Sequence, residues 1–203
     1  MKKDLFSLLF CFVICQGSLL AQNEPKTLFG DSGLVNTKNL GFFVAPSYGF
    51  TQMDGSNATL LNLRGGISFR DKFTFGGYFN ISHNESEPQS ETVQNAYLEF
   101  WTVGGFAEYT FLSKRVIHLT FPLYIGYGEV KLHSENGVTG LGKENFFQIE
   151  PSALLEVNLF KYSRLNLGVG YRFVGEMDYR NLNQSNISGL TAYFGLKFGL
   201  FQQ

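Results

Sequence analysis

FFQIEPSALLEVNLF, residues 146–160, alternates with a period of two. One face carries Phe147, Ile149, Pro151, Ala153, Leu155, Val157 and Leu159, and the other Gln148, Glu150, Ser152, Leu154, Glu156 and Asn158. Successive residues of a β-strand point to opposite sides, so the stretch predicts an apolar wall backed by two carboxylates. The carboxylates stand about 20 Å apart at strand rise, too far to act as a hydrolytic pair.

The same alternation recurs along the chain. It predicts eight strands: Gly41 to Thr51, Leu60 to Arg70, Phe73 to Ser82, Trp101 to Phe111, Ile117 to Tyr127, Phe146 to Phe160, Leu165 to Phe173 and Leu190 to Leu200. Between them, Asp71-Lys72, Ser113-Lys114-Arg115 and Lys161 to Arg164 read as tight turns. The connection around Met53-Asp54-Gly55-Ser56 and the stretches His83 to Asn95, Glu129 to Asn145 and Glu176 to Ile187 read as the outer loops. Short turns at one end and longer loops at the other are the habit of membrane barrels.

An apolar face opposite a polar one also suits a soluble lipocalin-like barrel, whose apolar face is its core. The polar face separates the two. It is mostly Gly, Ala, Ser, Asn and Tyr, and its central charges are Arg64, Arg172 and Lys197 against Glu108, Glu150 and Glu156, three against three. Buried charges must be balanced, and small residues fit a narrow interior. The only tryptophan, Trp101, also lies mid-chain rather than in an N-terminal Gly-x-Trp. The expected fold is an all-β, eight-stranded antiparallel up-and-down transmembrane β-barrel, residues 40–203, with those six charges forming a network in its lumen.

Composition agrees. Of 203 residues only 16% are charged, against 16% aromatic, with 22 Phe and 23 Gly. A formal charge of −1 argues against nucleic acid as a partner, because phosphate binding needs concentrated Lys and Arg. Residues 1–21 read as a signal peptide. Lys2 and Lys3 precede an apolar run from Leu5 to Leu20, with a cut after Ala21. A retained membrane helix fits less well, since spanning needs about 20 apolar residues. Cys11 and Cys15 both fall in the signal, and neither follows a small residue, which argues against a lipoprotein cut; the mature chain is expected to hold no cysteine and hence no disulfide. Residues 22–39 lack periodicity and read as a periplasmic arm.

The pattern resembles the small OmpA/OmpX-like outer-membrane barrels, and more narrowly a mostly uncharacterised group of outer-membrane β-barrel domain proteins. The resemblance spans Leu28 to Phe201. It rests on Arg64-Gly65-Gly66, His118-Leu119-Thr120-Phe121-Pro122-Leu123, Glu150-Pro151 with Glu156 and Asn158, Gly170-Tyr171-Arg172, and Lys197-Phe198-Gly199. It implies an outer-membrane location, contact with lipid and assembly by the barrel-insertion machinery. Many such chains end on an aromatic residue, whereas here Gln202 and Gln203 follow Phe201.

Chemistry is sparse. His83, Glu85 and Ser86, and His133, Ser134 and Glu135, are the clusters a lipid-A-modifying hydrolase would need, but both fall in or beside polar loops. His118 reads as a satisfied lumen residue near the turn-side rim. Three scattered histidines make no metal constellation, and no cofactor is implied. The loops carry Asp54, Glu85, Glu87, Glu91, Glu129, Glu135, Glu144, Glu176 and Asp178 against Lys131, Lys143 and Arg180; the turn side carries Arg70, Lys72, Lys114, Arg115, Lys161 and Arg164 against Asp71. The expectation is a monomeric, non-enzymatic barrel with a plugged polar lumen, acting structurally or on an envelope or extracellular protein through its loops. The alternatives are the hydrolase, a narrow channel and a lipocalin-like periplasmic carrier.

Overall fold

The computed structural model describes residues 40–84, 86–92, 96–134 and 142–201. The signal peptide, the arm, Glu85 and Glu135 lie outside these described residues. Eight long strands form the fold: β1 (Leu40–Met53), β2 (Ser56–Phe69), β3 (Phe73–Ser82), β4 (Ala96–Phe111), β5 (Ile117–Ser134), β6 (Lys143–Phe160), β7 (Ser163–Val174) and β10 (Gly189–Gly199). A small hairpin, β8 (Asp178–Tyr179) with β9 (Leu182–Asn183), and a helical turn, α1 (Gln184–Ile187), sit between β7 and β10. The long strands close a barrel in the order β1-β10-β7-β6-β5-β4-β3-β2. Closure runs through β1 and β10, from Phe43 opposite Gly199 to Thr51 opposite Thr191, so no long strand keeps an unpaired edge.

The apolar face points out. On β6, Phe147, Ile149, Leu155 and Leu159 are exposed while Gln148, Glu150, Leu154 and Glu156 are buried. A lipocalin-like barrel has the reverse polarity, so that alternative falls. Aromatic residues collect at both borders of the outward band. Phe69, Phe73, Tyr109 and Phe111 lie at the turn end, and Phe50, Tyr127, Phe147, Tyr171 and Phe173 toward the loop end. Along β5 the band runs from Ile117 to Tyr127, which at strand rise and barrel tilt gives about 25 Å of apolar height.

Above that band the polarity inverts. On β4 and β5 the outward positions become Glu99, Glu129 and Lys131, while the inward ones become Ala96, Leu98, Phe100, Val130 and Leu132, all buried. Lys131 bonds Glu99 at 2.9 Å and Lys143 bonds Glu129 at 2.6 Å on the outer surface. These pairs relieve the direct opposition of Lys131 and Lys143 across β5 and β6. One continuous sheet thus follows the rule for a lipid solvent below this level and the rule for water above it.

This inversion corrects the expected boundaries. β5 and β6 extend well into the predicted polar loop from Glu129 to Asn145, because residues that point into an ordinary apolar core replace the lipid-phase pattern there. The predicted first outer loop is a hairpin. Asp54 (φ 47°) and Gly55 (φ 76°) bridge the paired Met53 and Ser56, as a type I′ turn requires. At the other end β2 stops at Phe69, and the connection is Arg70 to Lys72, with Arg70 and Asp71 at positive φ and Lys72 N donating to Phe69 O at 3.0 Å.

Inward glycines let adjacent strands approach. Gly66 pairs with Gly76 and Gly104 with Gly126. A Cβ on Gly104 would sit 2.2 Å from the Ile125 carbonyl oxygen, so any side chain there forces backbone apart.

Candidate functional site

Strand parity sends the polar face inward, and the interior is filled at three levels. Nearest the turn end is a charged layer. Arg64 donates to Glu108 at 2.8 Å and to the Tyr124 hydroxyl at 3.1 Å, and approaches Glu156 at 3.5 Å. Lys197 donates to Glu108 at 2.7 Å and to Glu156 at 3.0 Å. His118 Nε2 lies 3.1 Å from Glu156 and its Nδ1 3.2 Å from the Arg115 carbonyl. Oriented to donate to Glu156 at 3.2 Å and accept from Arg64 at 2.9 Å, the Asn166 amide completes the shell. The exposure of each of these side chains is about 5% or less, so they are shielded from bulk solvent.

Two members of this layer come from a turn and its edge. Arg164, at the start of β7, folds inward and lies 3.6 Å from Asp71 and 3.7 Å from Glu156. Asp71 in turn accepts from Ser68 at 3.3 Å. Sequence reasoning counted both among the turn-side charges. Arg164 is in phase with the inward row of β7, one step before the predicted strand start at Leu165, whereas no periodic signal marks Asp71, a turn residue that bends back. The layer therefore balances Arg64, Arg164 and Lys197 against Glu108, Glu156 and Asp71.

The middle level is aromatic and polar. Tyr78, Phe106 and Tyr124 pack with ring centroids 5.1–5.6 Å apart, and Gln148 donates to Tyr78 at 2.9 Å. A polar ladder runs from Ser47 to Asn62, on to Asn80 and then to Thr102 at 3.1 Å. Glu150 belongs here rather than to the charged layer, and it accepts from the Tyr193 hydroxyl. Arg172 lies higher still. It donates to the Ile187 carbonyl at 3.0 Å and to Thr51 at 3.3 Å, with its guanidinium 4.8 Å from the Phe100 ring. The six predicted lumen charges are therefore not one cluster. Four share the lower layer, while Glu150 and Arg172 lie above it, close enough to act on each other electrostatically, with hydrogen bonds to a phenol in one case and to Thr51 and backbone in the other.

The third level, at the loop end, is an apolar core. Met53, Leu60, Leu98, Phe100, Phe146, Met177, Leu182 and Ile187 are all within 3% of full burial, with Phe100 stacked on Phe146 at 5.6 Å. Tyr179 pins the β8–β9 hairpin across it, accepting from Leu132 N at 3.0 Å and donating to Gly142 O at 2.8 Å. Burial raises the pKa of that phenol. The loops are also tied to one another. The Asp54 carboxylate accepts from Ser90 N at 2.6 Å, Ser90 Oγ at 2.7 Å and Asn186 at 2.6 Å, and Arg180 grips Glu91 at 2.7 and 3.1 Å.

Among the described residues, the histidine and serine of each candidate hydrolytic cluster differ in exposure. His133 is exposed while Ser134 beside it on β5 is buried, because neighbours on a strand face opposite ways. His83 is exposed and Ser86 is buried. Among the described residues, no group of His, Cys, Asp and Glu side chains comes together as a metal site.

No protein-family model matches the chain, and no curated protein matches it. Solved structures do. Neisserial surface protein A (NspA) matches with a TM-score of 0.60 at 10% identity, over 79% of this chain and 96% of that one. A major outer membrane protein from Thermus thermophilus matches at 0.53 and 8%, over 79% and 99%. The outer membrane protein OprG from Pseudomonas aeruginosa matches at 0.52 and 11%, over 80% and 96%. At these identities the likeness is one of fold, and the fold is that of small outer-membrane barrels.

Proposed function

We propose that the chain is a non-enzymatic integral outer-membrane barrel with a plugged lumen, which acts as an envelope structural or interaction protein through its loop end. The observation that carries this is the interior. Charged, aromatic and apolar levels succeed one another with buried side chains, which supports a lumen closed to water and, among the described residues, brings no exposed nucleophile next to a base. The outward apolar band bordered by aromatics supports membrane insertion, and the similarity of fold to outer-membrane barrels supports the location. With short turns on the periplasmic side, the loop end faces outward and carries the partner-binding role.

The test is fractionation of cells making the protein. It should appear in the outer membrane and migrate differently on gels with and without boiling, and it should give no stepwise conductance in planar bilayers. A soluble periplasmic protein would end the membrane reading, and regular conductance steps would end the plug. Altered lipid A in overproducing cells, lost on His83→Ala or His133→Ala, would instead establish the hydrolase.

A further inference from the structure

At the turn end, a cleft of about 440 Å³ opens between the β4–β5 and β6–β7 connections. Its cationic lining is Lys114, Lys161 and Arg164, with Asn158, and its apolar walls include Val116 and Phe160. No described carboxylate lines it. Arg164 is 4% exposed, yet its Nε has no hydrogen-bond partner; Asn158, paired with Arg164 across β6 and β7, has an unpartnered Oδ1, which as an acceptor adds nothing to an anion site. The Arg164 guanidinium carbon lies over the Phe201 ring, 3.7 Å from its centroid. Its terminal nitrogens are turned toward Glu156 and Asp71. A buried, unsatisfied N–H on a fixed cation needs an acceptor. Two exposed lysines beside it make that acceptor an anion.

The walls say what the anion is attached to. Phe160 is 78% and Val116 66% exposed, the highest values among the large apolar side chains. Both stand at the border where the outward band meets the turn end. A ligand that satisfies both halves has an anionic head and apolar chains.

We infer that this cleft binds the phosphate of an anionic glycerophospholipid from the adjoining leaflet, with its acyl chains along Phe160 and Val116. The inference rests on the membrane reading above and adds a headgroup-specific site to it. Lys114 and Lys161 supply flexible charge, and Arg164 supplies a fixed donor.

The test uses the mature chain refolded in an uncharged sugar detergent, with native mass spectrometry counting retained phosphatidylglycerol, dioleoylglycerol or inorganic phosphate. Phosphatidylglycerol should be retained and dioleoylglycerol should not. The Lys114→Gln/Lys161→Gln variant should need about tenfold more lipid for the same occupancy. Lys114→Arg/Lys161→Arg should restore it. Arg70→Gln/Lys72→Gln, on the β2–β3 connection across the rim, should bind as the wild type does. Unchanged retention by the Gln pair, an equal loss in the Arg70/Lys72 variant, or inorganic phosphate binding as well as the lipid would each overturn the site. Flotation with phosphatidylcholine vesicles separates the two readings. A chain that inserts but ignores headgroups loses only the site, and a chain that never floats loses both.

Discussion

Replacing Glu156 by Gln removes one negative charge from the lower layer with almost no change of shape. Glu156 faces Lys197 at 3.0 Å, His118 at 3.1 Å, Arg64 at 3.5 Å and Arg164 at 3.7 Å. Without it, Glu108 and Asp71 must balance Arg64, Arg164 and Lys197, and one positive charge remains uncompensated. Breaking a buried pair from one side costs about 3–5 kcal/mol. Glu108 still holds Lys197 and Arg64 at 2.7 and 2.8 Å, so the lower figure, about 3 kcal/mol, applies. That is about a hundredfold in the folding equilibrium. The assay is urea unfolding of the barrel in lipid vesicles, followed through Trp101, the single tryptophan. Adding Lys197→Met to Glu156→Gln rebalances the layer and should recover part of the loss, giving a coupling of about 1 kcal/mol or more. A Glu156→Gln midpoint equivalent to less than about 0.5 kcal/mol, or strictly additive effects in the double variant, would refute the buried ionic layer.

Other expectations concern the rims and the curl of the sheet. Asp54→Ala removes the acceptor of three bonds that join separate outer connections. It should cost about 1–3 kcal/mol and speed amide exchange at Ser90 and through α1, and unchanged exchange would mean the loops are held otherwise. Gly104→Ala should destabilise by about 1–3 kcal/mol, because its Cβ meets backbone at 2.2 Å. Gly105→Ala, whose Cβ meets nothing closer than 3.6 Å, should unfold at the wild-type midpoint. The Lys143 hydrogen bond lowers the pKa of Glu129. Its contribution to stability is therefore complete above the ordinary carboxylate range and is lost as pH falls through the lowered value. Carboxyl NMR titration should show Glu129 protonating below the ordinary range in the wild type and within it in Lys143→Ala.

The parity of the membrane band was legible because each strand there obeys one rule, apolar out and small or polar in. β3 was predicted from Phe73 to Ser82 and spans those residues. On β4, Glu108 points into the lumen as expected. What escaped is where the rule changes. Val130 and Leu132 alternate with Lys131 and His133 as regularly as any lower pair, but with inside and outside exchanged, so a lipid-phase reading takes them for a loop. The charged layer was half legible. Arg64, Glu108, Glu156 and Lys197 lie on strands, where parity reveals direction. Arg164 shares the inward row of Asn166 but precedes the predicted start of its strand, Asp71 reaches the lumen by bending from a turn, and Arg172 is met by α1, whose position no local pattern discloses.

The inversion along β4, β5 and β6 also bears on how the protein gets into and stays in a bilayer. The segment above the lipid band carries Glu99, Glu129, Lys131 and Lys143 on its surface and encloses an apolar core of its own. To reach the far side, those charges must cross the hydrocarbon, and to leave they must cross back. Each crossing is costly for a single charge, and the packed core would have to open first. On the membrane reading proposed above, closure of the upper core after insertion opposes extraction. Once the upper core has closed, the kinetic barrier to extraction, rather than the equilibrium affinity for lipid, sets the residence time.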